Sequence, residues 1–372
     1  MGIKKQGAAR LALYTATMLL GSALAADKAR PPVTEGTTPS ATPAPAPSFD
    51  KIQSNPRNYA MKLLATCSPT SLDLVTRNAS AQQSWTFSRY DDGGLVRKWT
   101  VNLGPPFDLM TFITGNRAID ILLGLPSAVH EIGHGFAHHL GLAAMDKAGQ
   151  TPREDGDYRL FYVTPTRQVL VTLAPTFPSS TIASTIPEKL RLPRYQYVSN
   201  TDPQHGVEVN GIYGLLDEYV SYALDARASM DLLFCGWEGS GLSPDNWHDL
   251  IHNAETDLLT HEELGYYLLQ YLNYAQQNRP EVYAALMADR GFVDSFLAVD
   301  AQFTSLQAEY DAALPELFTR LNDNGFKAEL REDRFGINGV WRGRYNKQKA
   351  LAKETLAASP YVELREKLSS KP

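Results

Sequence analysis

Residues 126–141 read Pro-Ser-Ala-Val-His-Glu-Ile-Gly-His-Gly-Phe-Ala-His-His-Leu-Gly. Apolar side chains recur in this stretch at the spacing of one helical face, namely at Val129, Ile132, Phe136 and Leu140. Such spacing predicts an α-helix that packs one side into a protein core. Proline is typical of a first helical turn and glycine of a helix end, so we expect this helix to begin near Pro126 and to end near Gly141.

Two histidines lie on the other side of the same predicted helix. His130 and His134 are four residues apart, which places their side chains one turn apart on a single face. Two imidazoles at this spacing can bind one Zn²⁺, and Glu131 lies beside them, where it can accept a proton from a water molecule that the metal activates. The spacing therefore predicts a metal site with a carboxylate base.

The two histidines need a further partner, because a catalytic zinc site usually has three protein ligands and one open position. Glu218 is the main candidate, since it lies opposite the apolar side of a predicted amphipathic helix over residues 212–228. Asp217, its neighbour in the chain, is the alternative. His138 is a poor candidate because it lies about 12 Å along the helix axis from His130, too far for both to bind one ion.

Other polar residues of the predicted helix around Glu218 can support a metal site. Tyr222 and Asp225 follow on the same side and can orient a ligating group through a hydrogen bond. Several side chains are candidates for stabilising a negatively charged oxygen in a transition state, and the sequence does not rank them: Tyr213, Tyr222, Tyr197 and His205.

The remaining pairs of histidines are interpreted as parts of polar surfaces. His138 and His139 follow the motif on the same helix, and we expect them at the rim of a cleft or at the surface. His248 and His252 are also one turn apart, and we interpret them as part of a polar helix face.

His130-Glu131-x-x-His134, followed by a glutamate on a later helix, resembles the zincin metallopeptidases of the gluzincin subtype. The resemblance covers these positions and their two helices, and no specific family is assigned. It implies that His130, His134 and Glu218 bind one zinc ion and that Glu131 is the general base. It also implies a zincin-like fold and the hydrolysis of peptide bonds in a peptide or protein substrate.

The rest of the chain predicts an α+β fold. Segments rich in β-branched and aromatic residues flank turn sequences and predict two β-hairpins, formed by 85–90 with 95–103 and by 158–163 with 169–173. Helices are predicted at 212–228, 245–255, 260–278, 281–322 in pieces, and 345–369. We therefore expect a small β-sheet region and a predominantly helical second half, in a domain over residues 51–372 that is either one body or two lobes divided near residue 175.

The beginning of the chain has the features of an exported protein. In the first 25 residues, positive charges precede a short apolar stretch, and Ala23-Leu24-Ala25 fits a cleavage site, which together predict a signal peptide. Residues 26–50 are rich in proline and predict an extended linker. We therefore expect a periplasmic or secreted protein with no membrane span once the signal peptide is removed.

Charge and cysteine content narrow the partners and the chemistry. The formal net charge is −6 and no basic stripe occurs, which argues against binding to nucleic acid. Cys67 and Cys235 are the only cysteines. In an oxidising compartment they either pair or remain two separate thiols, and the sequence does not distinguish these states.

Together these features predict an exported zinc-dependent metallopeptidase with Glu131 as its general base. Two alternatives remain open. One is a non-hydrolytic exported binding or scaffold protein with a zincin-like fold, and the other is a zinc amidase that acts on cell-wall peptides. The intact Glu131 favours an enzyme, because a purely structural zinc site needs no base beside its ligands.

Overall fold

The computed structural model describes residue 49 and residues 51–91, 94–149, 157–237 and 240–370. The predicted signal peptide and, apart from Phe49, the predicted linker lie outside these residues. Within them the chain is a mixed α/β structure that is mostly helical and contains small antiparallel sheets, so the α+β prediction is confirmed at this level. None of the helices in the described ranges is both long and apolar enough to cross a bilayer.

The first half of the chain combines helices with two separate β-hairpins. Its elements are α1 (Pro56–Cys67), α2 (Pro69–Ala79), β1 (Ser84–Asp91), β2 (Gly94–Asn102), α3 (Ala118–Lys147), β3 (Asp157–Thr164) and β4 (Arg167–Leu173). Strand β1 pairs antiparallel with β2, and β3 pairs antiparallel with β4. Both predicted hairpins are therefore confirmed, and α3, which carries the histidine motif, runs between them.

The second half is predominantly helical, as predicted. After short turns and the short helices α4 (Gln196–Ser199) and α5 (Gly206–Asn210), its elements are α6 (Ile212–Leu233), α7 (Pro244–Asn278), α8 (Pro280–Ala288), α9 (Arg290–Asp323), β5 (Ala328–Leu330), β6 (Arg334–Ile337), β7 (Val340–Gly343), α10 (Asn346–Leu356) and α11 (Tyr361–Ser369). The predicted break between residues 255 and 260 is wrong, because buried side chains continue through it and α7 is one helix. The three-stranded sheet β5–β6–β7 lies outside the predicted strands.

Helix α3 extends further in both directions than its sequence predicts. It begins at Ala118 rather than near Pro126, since the two turns before the proline are largely buried and belong to the same helix. It also continues through Gly141, where a Cβ atom would lie 2.6 Å from the carbonyl oxygen of Tyr158. Both predicted ends are wrong, and at Gly141 the reason is that the glycine allows close packing against β3 and does not end the helix.

Helices α3 and α6 lie at the centre of the fold. Helix α6 packs against α3, α7 and α9, and α3 also contacts β3. Their buried side chains belong to one large hydrophobic core. The β1–β2 hairpin packs a smaller apolar cluster against the end of α3, formed by Trp85, Phe87, Val101, Leu142, Met145 and Tyr158. This arrangement brings the motif of α3 directly against α6.

A disulfide connects the end of α1 to the segment that follows α6. Cys67, the last residue of α1, is bonded to Cys235, which follows α6, and their Cα atoms lie 5.5 Å apart. Of the two states that the sequence leaves open, the structure contains the paired one. The cysteines are 168 positions apart in the chain. Closing so long a loop restricts the unfolded chain and is expected to stabilise the fold by about 2–4 kcal/mol.

Candidate metal centre

The histidine motif of α3 and a glutamate of α6 meet at one point. The Nε2 atoms of His130 and His134 lie 3.0 Å apart. The Oε2 atom of Glu218 lies 3.6 Å from each of these nitrogens. Three potential ligand atoms from two helices therefore converge on one position, and the three residues form a group that could hold a metal ion.

The spacing of these three atoms fits a tetrahedral zinc site. With zinc–ligand bonds of about 2.0–2.2 Å and tetrahedral angles, two ligand atoms are expected about 3.4 Å apart. The observed separations of 3.0 and 3.6 Å lie on either side of that value. The Oε2 atom of Glu218 is also buried and has no hydrogen-bond partner among the described residues, which is costly unless a cation compensates it.

Acidic side chains face the outer ring nitrogens of both histidines. Asp217 Oδ2 and Ser221 Oγ each lie 3.2 Å from Nδ1 of His134. Asp225 Oδ2 lies 3.7 Å from Nδ1 of His130. Carboxylates in such positions fix the orientation of metal-binding imidazoles. Asp217 thus faces an outer nitrogen while Glu218 faces both inner ones, so the geometry favours Glu218 over Asp217 as the third ligand.

Two of the four candidate stabilising side chains lie beside Glu218. The hydroxyl groups of Tyr197 and Tyr222 are 3.1 Å apart, and the Tyr222 ring packs against His130 with 4.4 Å between ring centroids. Burial raises the pKa of Tyr197, and the nearby Glu218 raises this pKa further. The Tyr197 hydroxyl therefore keeps its proton at neutral pH and can donate a hydrogen bond.

The other two candidates have different surroundings. Tyr213 lies five residues before Glu218, about 140° around the helix, and it is buried on the apolar side of α6. There its hydroxyl accepts a hydrogen bond from the backbone N–H of Ala174. The structure thus places Tyr213 away from the metal centre, contrary to expectation. His205 packs against Tyr197, with 6.1 Å between the ring centroids, and Tyr197 lies between it and Glu218 in the chain of contacts.

The charged groups of the centre shift one another's pKa values. Burial alone would lower the pKa of His134, but Asp217 and Glu218 outweigh burial and raise it well above its ordinary value. Burial would raise the pKa of Glu218, but interactions with His130 and His134 lower it below its ordinary value. Acidic groups therefore stabilise positive charge at this position.

A buried charge network lies beside the centre, and no local pattern in the sequence indicates it. Arg194 Nη1 donates to Glu263 Oε2 over 2.7 Å, and the Arg194 guanidinium lies 3.8 Å from Asp257 and 4.3 Å above the ring of Tyr222. Asp257 also accepts a hydrogen bond of 2.6 Å from Ser229. These residues lie far from the motif in the chain, so only the packing of α6 against α7 and the segment around residue 194 brings them together.

Glu131 occupies a partly exposed strip of α3 beside the ligands. Ser127 and Gly135 lie one turn before and one turn after it on the same row of the helix. At Gly135 an added Cβ would lie 2.7 Å from the ring of Phe107, whose side chain is 46% exposed. Glu131 is therefore partly exposed on the helix that carries His130 and His134, and the exposed ring of Phe107 packs against the same helix one turn further along.

Two histidines that were expected on polar surfaces are buried. His139 places Nδ1 2.8 Å from the carbonyl oxygen of Gln82, and His248 places Nε2 3.0 Å from that of Val340. The surface predictions for both residues are wrong, because both rings are buried inside the fold, where one nitrogen of each faces a backbone carbonyl oxygen. His138 is partly buried and is not among the converging ligands.

Comparison with protein-family models, with curated proteins and with solved structures gives no match for this chain. What the protein does must therefore be inferred from its own residues. Within the described ranges, the only group of histidine, cysteine and acidic side chains that meets the geometry of a metal site is His130, His134 and Glu218.

Proposed function

We propose that this protein is an exported zinc-dependent metallopeptidase with a zincin-like fold of the gluzincin type. The observation that carries the proposal is the convergence of His130 Nε2, His134 Nε2 and Glu218 Oε2 at separations of 3.0–3.6 Å. Two imidazoles and one carboxylate are a ligand set of catalytic zinc sites, in which a fourth position stays open for water or substrate. The predicted signal peptide supports a periplasmic or secreted location.

The neighbouring side chains suit hydrolysis of an amide bond. Zinc bound at this position would supply a Lewis acid that activates water and polarises the carbonyl group under attack. Glu131 accepts the proton of that water and passes it to the nitrogen of the leaving amine. Tyr197 and Tyr222, whose hydroxyls lie beside Glu218, are the donors available to a negatively charged oxygen that develops during attack.

Residues behind the ligands keep the two rings in position. Asp217 and Ser221 hold the outer nitrogen of His134, and Asp225 lies near that of His130. A carboxylate at Nδ1 favours the tautomer in which Nδ1 carries the proton, so that Nε2 presents its lone pair. The Glu131 carboxylate is not needed for this task, which is why its presence favours catalysis over a structural metal site.

The test of this proposal is the Glu131→Gln variant. The amide keeps the shape of the side chain but cannot accept the proton, so peptide hydrolysis should fall by at least about 100-fold while one zinc per chain is retained. Products of a peptide library are measured by mass spectrometry with and without a chelator, and zinc is measured by elemental analysis. Glu354→Gln makes the same chemical change on the exposed side of α10 and should leave both quantities unchanged.

Three results would contradict the proposal in different ways. Near-normal hydrolysis by Glu131→Gln would show that Glu131 is not the base. Zinc binding without hydrolysis of any peptide would favour the scaffold alternative. Cleavage confined to cell-wall peptides, in a parallel digest of that material, would favour the amidase alternative.

A further inference from the structure

A cavity with an acidic lining lies next to the metal centre. It has a volume of about 190 Å³, several times the roughly 30 Å³ that one water molecule occupies in the liquid. Helix α3 contributes Leu123, Pro126 and Ser127, α6 contributes Asp225, and α7 contributes His252, Asn253, Thr256 and Asp257. We call this space the acidic cavity.

The acidic cavity lies about one helical turn from Glu131, the proposed general base. Ser127 lies four residues before Glu131 on the same row of α3, a rise of about 6 Å. Asp225 contributes to both places, since its carboxylate lines the cavity and its Oδ2 atom lies 3.7 Å from Nδ1 of His130. A molecule that occupies the cavity therefore lies about one helical turn from Glu131 along α3 and contacts Asp225, which also faces His130.

The acidic groups around the cavity have few cations near them, and burial raises the pKa of both Asp225 and Asp257, with Asp257 raising that of Asp225 further. Asp225 and Asp257 are 5% and 8% exposed, and Asp225 Oδ1 has no hydrogen-bond partner among the described residues. Among the described residues, the cation that forms an ion pair with Asp257 is Arg194, which lies 3.8 Å from Asp257 but only 2.7 Å from Glu263. The single guanidinium of Arg194 is thus shared between the carboxyl groups of Asp257 and Glu263. A buried acidic group that lacks its own cation is costly, so a ligand that brings a positive charge gains from entering.

We propose that the acidic cavity binds a positively charged group of the substrate, namely a lysine or arginine side chain or a free amino terminus. This inference rests on the proposed peptidase function and names its substrate class. Leu123 and Pro126 offer apolar contacts to an alkyl chain, and the charged end then meets Asp225 and Asp257. Thr256 Oγ1 is buried without a partner among the described residues and can accept a further hydrogen bond from the same group.

Binding is tested on zinc-loaded Glu131→Gln protein, so that hydrolysis does not interfere. Calorimetric titrations use Nα-acetyl-lysine amide, Nα-acetyl-norleucine amide and norleucine amide with a free amino group. We expect one of the two charged probes to bind at least tenfold more tightly than the uncharged probe. The lysine probe identifies a side chain as the source of the charge, and the free amine identifies the amino terminus.

A charge placed in the cavity provides the matched comparison. In the same protein, Asn253→Lys introduces an ammonium group at the lining and should bring the preference for the charged probe to about one. Gln276→Lys makes the same charge change at an exposed position of α7, about 35 Å along the helix, and should keep the preference. Ser127→Lys, at an exposed position of the lining, repeats the test if Asn253→Lys does not fold.

Several outcomes would overturn the inference and leave the peptidase proposal intact. Equal binding of all three probes is one of them. Binding of Ca²⁺ or Mg²⁺ in place of both organic cations would make the cavity an inorganic cation site. If Gln276→Lys also lost the preference for the charged probe, the loss in Asn253→Lys would be an effect of net charge and not of the cavity. By contrast, selective binding of a charged probe by a protein that hydrolyses no peptide would refute the peptidase proposal alone.

Discussion

At the scale of single residues, the candidate centre depends on which nitrogen of each imidazole is free. The Nε2 atoms of His130 and His134 face one another and Glu218, while their Nδ1 atoms face Asp225 and Asp217. Acceptors at Nδ1 keep the proton on that nitrogen and leave Nε2 for an ion. Asp217 should therefore contribute to metal affinity without touching the metal.

Replacement of Asp217 tests this arrangement. Asp217→Ala removes the acceptor at His134 Nδ1 and should weaken zinc binding by about 10–100-fold, whereas Asp217→Asn keeps an acceptor oxygen and should have a smaller effect. The affinities are measured by competition with a chelator, and circular dichroism checks that both variants are folded. Unchanged affinity in the folded Asp217→Ala variant would contradict an orienting function for this carboxylate.

At the scale of the elements, glycines allow the neighbours of α3 to come close. A Cβ at Gly133 would lie 3.0 Å from Leu224 and 3.3 Å from Ser221, both on α6. A Cβ at Gly141 would lie 2.6 Å from the backbone oxygen of Tyr158 on β3. The first contact sets the distance between the helices that carry the ligands, and the second fixes the hairpin against the far end of α3.

The substitution Gly141→Ala should destabilise the protein by about 1–3 kcal/mol, because the new methyl group would collide with backbone that belongs to a paired strand. This loss should exceed the gain of about 1 kcal/mol that alanine brings to a helix. Gly135→Ala is the control, since its Cβ would meet only the half-exposed ring of Phe107, which can move. The free energy of unfolding in urea is measured for both, and a Gly141→Ala variant as stable as the wild type would refute the expectation.

Local patterns in the chain predict the elements that build the centre, but they predict neither the boundaries of α3 nor the buried charge network around Arg194. The motif and the hairpins depend on neighbouring residues, so their spacing is visible in the sequence. Arg194 and Asp257 reach the centre only through tertiary packing, which no local pattern reveals. The β6–β7 turn was detectable, because Asn338-Gly339 has positive φ at both residues and is typical of a tight hairpin, but its strands are only four residues long.

At the scale of the whole molecule, Asp300 on α9 connects the helices behind the metal centre. It accepts hydrogen bonds from Arg365 of α11 at 2.7 Å and from Tyr219 of α6 at 3.3 Å, and it lies 3.2 Å from His261 Nε2 of α7. Burial alone would raise the pKa of Asp300, but His261 and Arg365 outweigh burial and lower it from 3.8 to about 2. The ionised form is thus favoured in the folded state.

The contribution of Asp300 to stability should therefore depend on pH. A carboxyl group with a lowered pKa in the folded state stabilises above its unfolded pKa, near 4, and loses this effect as the pH falls towards 2. Asp300→Asn should be less stable than the wild type by about 2 kcal/mol at pH 7, and this difference should shrink as the pH falls below 4. Urea unfolding at a series of pH values measures the free energy of unfolding of both proteins. A difference between them that does not change with pH would contradict the expectation.

The most direct measurement for the central claim is a crystal structure of the zinc-loaded protein with anomalous data collected on both sides of the zinc absorption edge. We expect one strong anomalous peak at about 2.0–2.2 Å from His130 Nε2, His134 Nε2 and Glu218 Oε2. Zinc-loaded crystals with no peak between these three atoms, or with the zinc bound at other residues, would contradict the claim.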